Sequence, residues 1–114
     1  REGPVSPKGR TIEQNREIVA LGQPGDWKRL LAYAEQHWRT FNDVNWATMF
    51  GRLGRSRGDS AVIQRDKLFK LFLAEFEGRI EREGLQWMGI QGIANTVHAF
   101  GVMGVTSKVL FDSV

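Results

Sequence analysis

At 114 residues and 41% hydrophobic side chains, the chain has the length of one domain and enough apolar material for a core, which excludes wholesale disorder. The absence of cysteine excludes disulfides and zinc–thiolate sites, and the longest apolar runs fall far short of a membrane span. A net charge of +3 permits an acidic partner without demanding one.

Residues 1–10 (REGPVSPKGR) hold two prolines, two glycines and a surplus of basic side chains, and read as a flexible lead-in. The chain starts without methionine or a signal-like apolar stretch, so it is expected to be a piece of a longer protein. Residues 11–25 form an N-terminal helical segment. Thr11 with Gln14 three positions on is a capping-box pattern, and Ile12, Ile18, Val19 and Leu21 supply an apolar stripe, predicting a helix over 12–21. Gly22 stands where a C-cap glycine would, and Pro24 blocks continuation.

Residues 26–54 read as a first helical repeat. Asp26 is placed to cap a helix whose Trp27, Leu30, Leu31, Ala34 and Trp38 keep a 3.6-residue spacing. A few turn residues later, 42–53 puts Trp46, Met49, Phe50 and Leu53 on one side. Two amphipathic helices so closely linked are expected to fold back as a hairpin. Residues 55–65 are polar and glycine-rich at their start and read as a loop.

Residues 66–104 read as a second repeat. Its first helix, 66–82, lines up Phe69, Phe72, Phe76 and Ile80 and ends at Gly84. Its second, 90–103, has Ile93, Val97 and Phe100 as its core line and ends at Gly104. In 105–114, Thr106 or Ser107 can cap a further helix, so this segment reads as the start of a third repeat.

The repeat rests on self-similarity. When 44–54 (VNWATMFGRLG) is set against 94–104 (ANTVHAFGVMG), Asn45 meets Asn95, Phe50 meets Phe100, Gly51 meets Gly101 and Gly54 meets Gly104. The preceding helices align better with a shorter offset, which leaves about ten extra residues between the helices of the second unit. Glycine inside a helix costs about 1 kcal/mol, so the matched pair Gly51 and Gly101 suggests close approach of neighbouring helices. The expected fold is all-α: an αα-hairpin repeat, or α-solenoid, of five to six helices, each hairpin burying faces it cannot bury alone.

Residues 93–104 (IANTVHAFGVMG) resemble the helix of octotricopeptide-repeat proteins and their FAST-kinase-like relatives, whose repeats often read LANTLWALAKLG. The likeness covers Ala94, Asn95, Thr96, Val97, Ala99, Phe100, Met103 and Gly104, with His98 in place of the frequent tryptophan. Residues 41–55 resemble a variant found near the start of such arrays, and the likeness extends over about 12–110. It implies an α-solenoid that binds single-stranded RNA in mitochondria or plastids and acts in RNA stability, processing or translation. The C-terminal RAP domain that many members carry has no counterpart in this sequence.

Single-strand recognition by helical repeats needs a polar stripe for bases and cations for phosphates. On the second helix of each unit, Asn45, Thr48 and Arg52 form one such line, and Asn95, His98 and Val102 the other, with Gln91 one turn earlier. Amides offer both donor and acceptor to a base edge, histidine stacks or bonds, and arginine pairs with phosphate or guanine. Asn45 and Asn95 fit a second role equally well, as caps or bridges to neighbouring backbone. Arg52, Arg55, Arg57, Arg65 and Lys67 form the densest basic stretch, suited to phosphate contact or, more simply, to offsetting a helix dipole and solvating a loop. Trp87, expected in a loop, is the best stacking candidate among tryptophans that otherwise read as core.

No phosphate loop, HExxH motif or dinucleotide fingerprint is present, and His37 and His98 lie on different units. The expectation is therefore a non-catalytic protein with no cofactor and no metal. Its partner is single-stranded RNA or, alternatively, the proteins of a large organellar complex that it scaffolds; 16 basic against 13 acidic residues leave both readings open.

Overall fold

The structure is a computed structural model that describes residues 7–113, and these residues are all-helical. Helix α1 spans Pro7–Leu21, α2 Trp27–His37, α3 Asp43–Gly54, α4 Ser60–Arg65, α5 Lys67–Glu83, α6 Gly89–Met103 and α7 Lys108–Ser113. Short 3₁₀ turns fall at Trp38–Thr40, Arg57–Asp59 and Leu85–Met88.

The helices lie in two layers. In one, α3 packs between α1 and α6; in the other, α5 packs between α2 and α7. The hairpin contact between α2 and α3 is present, but the most extensive packing in the molecule joins α3 to α6. The stripes that the sequence predicts are those that go inside. Trp27, Leu30, Leu31 and Ala34 of α2, Trp46, Met49, Phe50 and Leu53 of α3, and Phe69, Phe72, Phe76 and Ile80 of α5 are all buried. Phe50 sits at the centre, with ring centroids 4.8–5.0 Å from Phe72, Phe76 and Phe100. Trp46 stacks on Phe72 at 4.7 Å.

Several expectations need correction. Of the expected lead-in, 1–6 lies outside the described residues, while 7–10 belong to α1. Proline suits the first turn of a helix, where its missing N–H has no intrahelical acceptor to lose. Thr11 is therefore inside α1 rather than capping it, and Gln14 instead donates to Thr40 Oγ1 at 2.8 Å. The expected loop 55–65 holds a 3₁₀ turn and α4, because Ile63 is fully buried and anchors one helical turn between Asp59 and Asp66. Part of the extra length in the second unit is helix, since α5 has 17 residues where α2 has 11.

The glycines divide differently from expectation. At Gly51 and Gly101 an added Cβ would meet nothing within 4 Å, so neither permits a close approach. Gly22 does: a Cβ there would fall 2.6 Å from Arg52 Cγ and Cδ. Gly104 ends α6 in the left-handed region (φ +74), as its position suggests.

Candidate functional site

The site begins with how α3 is held. Asn42 and Asn45 form a capping box: Asn45 N–H donates to Asn42 Oδ1 at 2.9 Å, and Asn42 N–H to Asn45 Oδ1 at 3.0 Å. Asn45 Nδ2 donates to the Thr11 carbonyl at 3.0 Å and to Asn15 Oδ1 at 3.4 Å, so this side chain joins α3 to α1. Asn45 is fully buried. As a candidate contact to RNA it is corrected to an internal cap and bridge. Its counterpart Asn95 is exposed, because α6 starts at Gly89 and the aligned position falls in mid-helix, beyond any capping role.

The other six candidates are brought together. Thr48, Arg52, Arg55, Asn95 and His98 line a groove of about 400 Å³ between α3 and α6, with Gly51 and Val102 among their neighbours. Gln91 lines an adjoining hollow of about 290 Å³ that shares Ala47, Thr48 and Asn95 with the groove. Early turns of both helices border the hollow and later turns border the groove, so α3 and α6 run in the same direction. Gly51, which lacks a side chain and faces open space, keeps the groove wide.

Three features set its chemistry. First, no acidic residue lines the larger groove, whereas two arginines and a histidine do. Among the described residues, ion pairs join Arg79 to Glu83 and Lys108 to Asp112, which leaves Arg52 and Arg55 without a carboxylate partner. Second, Gln91 Nε2 donates to Asn95 Oδ1 at 3.1 Å, which orients the two amides and leaves a Gln91 acceptor and Asn95 donors for a ligand. Third, Thr48 Oγ1 donates to the Val44 carbonyl at 2.7 Å, so its hydroxyl can offer a ligand only an acceptor.

Three further residues shape this surface without a signal in the sequence that ties them to it. Gly22 lets the α1–α2 turn close onto the Arg52 stem. Ser56, buried just after α3, accepts from Gly25 N–H at 3.0 Å and ties the same turn down. Ile90, 88% exposed at the start of α6, stands at the rim of the amide hollow. The charge pattern of Arg52 and Arg55 was visible in the sequence, but which turn packs against them depends on tertiary structure.

Two other candidates fall away. Trp87 is half-buried in a 3₁₀ turn against the core, and the Arg79 guanidinium covers its ring at 4.3 Å, so no base finds an open face of the kind a loop would give. A cavity of about 480 Å³ between α1 and α2 is lined by Glu13, Glu17, Tyr33 and His37, with Arg10. Burial raises the Tyr33 pKa above its ordinary value, and the charges of Glu17 and then Glu13 raise it further. That negative field makes this cavity a poor place for a polyanion.

In comparisons with known proteins, the chain matches no protein-family model, no curated protein and no solved structure.

Proposed function

We propose that the chain is a non-catalytic, helical-repeat module that binds single-stranded RNA in the groove between α3 and α6. The observation that carries this reading is the acid-free groove itself, where Arg52, Arg55 and His98 stand beside the oriented amides of Gln91 and Asn95. Cations without carboxylate partners suit phosphates, and amides suit base edges. The acidic side chains Glu75, Glu77, Glu81 and Glu83 lie on α5, in the other layer, away from this surface.

The two-layer packing supports the solenoid reading. The layer α1–α3–α6 and the layer α2–α5–α7 are what stacked helical hairpins produce, with α1 as the second helix of a preceding unit and α7 as the first of a following one. On this reading the chain is a segment of an octotricopeptide-like array, and the organellar role in RNA stability, processing or translation follows from the sequence resemblance alone. A scaffolding role is the second reading, favoured by the exposure of Ile90 and Val44 beside the groove.

Titrating the chain with a single-stranded RNA oligonucleotide at increasing salt tests the function. Affinity is expected to fall steeply as salt rises, with a slope of about −0.7 per phosphate neutralised. Salt-independent binding, or none, removes the RNA reading and leaves the scaffold.

A further inference from the structure

The two parts of the α3/α6 surface differ in chemistry, and that difference assigns an orientation to its ligand. The hollow at the N-terminal ends of both helices has the Gln91–Asn95 amide pair, and beside it the exposed apolar side chains of Val44 and Ile90. Asp43 also lines it, and a carboxylate there opposes a phosphate. The groove at the C-terminal ends has Arg52, Arg55 and His98 and no acid. From Val44 to Arg55 the surface runs along α3 for about 16 Å at the helical rise.

Resting on the RNA reading above, we propose that a nucleotide lies along the two helices in one direction, its base in the Gln91–Asn95 hollow and its phosphate at Arg52 and Arg55. The chemistry at each end is complementary. A base is a flat apolar body with a hydrogen-bonding edge, which matches an exposed isoleucine and valine beside an oriented amide pair. A phosphate is a diffuse anion, which matches two guanidinium groups with no competing carboxylate. The reverse orientation would place the phosphate against Asp43 and the base against two arginines. Ile90 gains a role in this arrangement: at 88% exposure it contributes nothing to the core, and the base would cover it.

The test uses the full 114-residue chain and two probes of equal length, a uridylate oligonucleotide and an abasic ribose-phosphate strand, followed by fluorescence anisotropy across a salt series. Gln91→Ala with Asn95→Ala is expected to weaken uridylate binding about tenfold while leaving the abasic strand and the salt slope unchanged. Arg52→Gln with Arg55→Gln is expected to weaken both probes alike and to flatten the salt slope by about 0.7, the share of the one phosphate they hold. Far-UV circular dichroism checks that both variants stay folded, which is expected because none of the four side chains is in the core. The orientation is overturned if the amide variant loses abasic binding as strongly as uridylate binding, or if the arginine variant discriminates between the probes. Equal affinity of the unsubstituted chain for the two probes removes the base end while the RNA reading stands. Failure to bind either probe overturns both.

Discussion

At the scale of single residues, Asn45 and Asn95 show what an alignment can and cannot carry. They align, both are asparagine, and one is fully buried while the other is exposed. The difference arises from where each helix begins. Asn45 is the third residue of α3, so its side chain closes a capping box and still has Nδ2 free to reach the Thr11 carbonyl. Asn95 lies about one turn further into α6, and its side chain bonds to Gln91. Asn45→Ala would keep the Asn42 cap on the Asn45 backbone N–H but take away the acceptor of Asn42 N–H and the donor to the Thr11 carbonyl, an expected loss of about 1–2 kcal/mol. Urea denaturation measures it, and Asn95→Ala is expected to change the same midpoint hardly at all. Equal losses at the two positions would mean that Asn95 is also a structural bridge. The sequence held a hint of this asymmetry, because Asn42 stands three residues before Asn45 and nothing equivalent precedes Asn95.

At the scale of elements, the long helices were legible because their apolar residues recur at helical spacing, and the short ones were not. The stripes of α2, α3 and α5 could be read directly, and Phe69, Phe72, Phe76 and Ile80 are all in the core. Helix α4 has only Ile63 fully buried over six residues, too little for a period to show. The start of α1 is hidden in the sequence because Pro7 reads as punctuation where a loop is expected, although the first turn is where a helix accepts it. The candidate surface was partly legible for a related reason: positions one turn apart on one helix share a face, but the partner helix that makes a groove of that face comes only with the fold. Helix α7 gives an element-scale prediction. Ser107 Oγ accepts from Leu110 N–H at 3.2 Å and donates to Glu77 at 2.6 Å, so one hydroxyl both caps α7 and ties it to α5. Ser107→Ala is expected to cost about 1–2 kcal/mol and to speed hydrogen exchange in 108–113 selectively. Uniform acceleration over the whole chain would show instead that α7 opens only with the rest.

At the scale of the whole molecule, the question is whether the two layers fold as one body, since a groove built on α3 and α6 is only as rigid as the layer beneath it. The ring cluster answers in favour of one body. Phe50 and Trp46 come from one layer, Phe72 and Phe76 from the other, and Phe100 completes the cluster from α6, next to α3. No stretch of the chain owns this cluster: its members lie between positions 46 and 100, come from both layers and are all buried. Stacked hairpins with purely neighbour-to-neighbour contacts unravel from their ends, whereas a shared aromatic centre couples them. Phe50→Ala is the decisive substitution, because Phe50 touches three of the other rings and is fully buried. It is expected to lose about 3–5 kcal/mol, a large share of the 5–15 kcal/mol typical of a domain. If the layers are coupled, tryptophan fluorescence and far-UV circular dichroism will still report one transition, shifted to lower urea with its slope preserved. Separation of the two signals, with Trp46 emission changing before the helical signal, would show that the layers melt independently. The groove would then be a surface that forms only on the folded α1–α3–α6 layer.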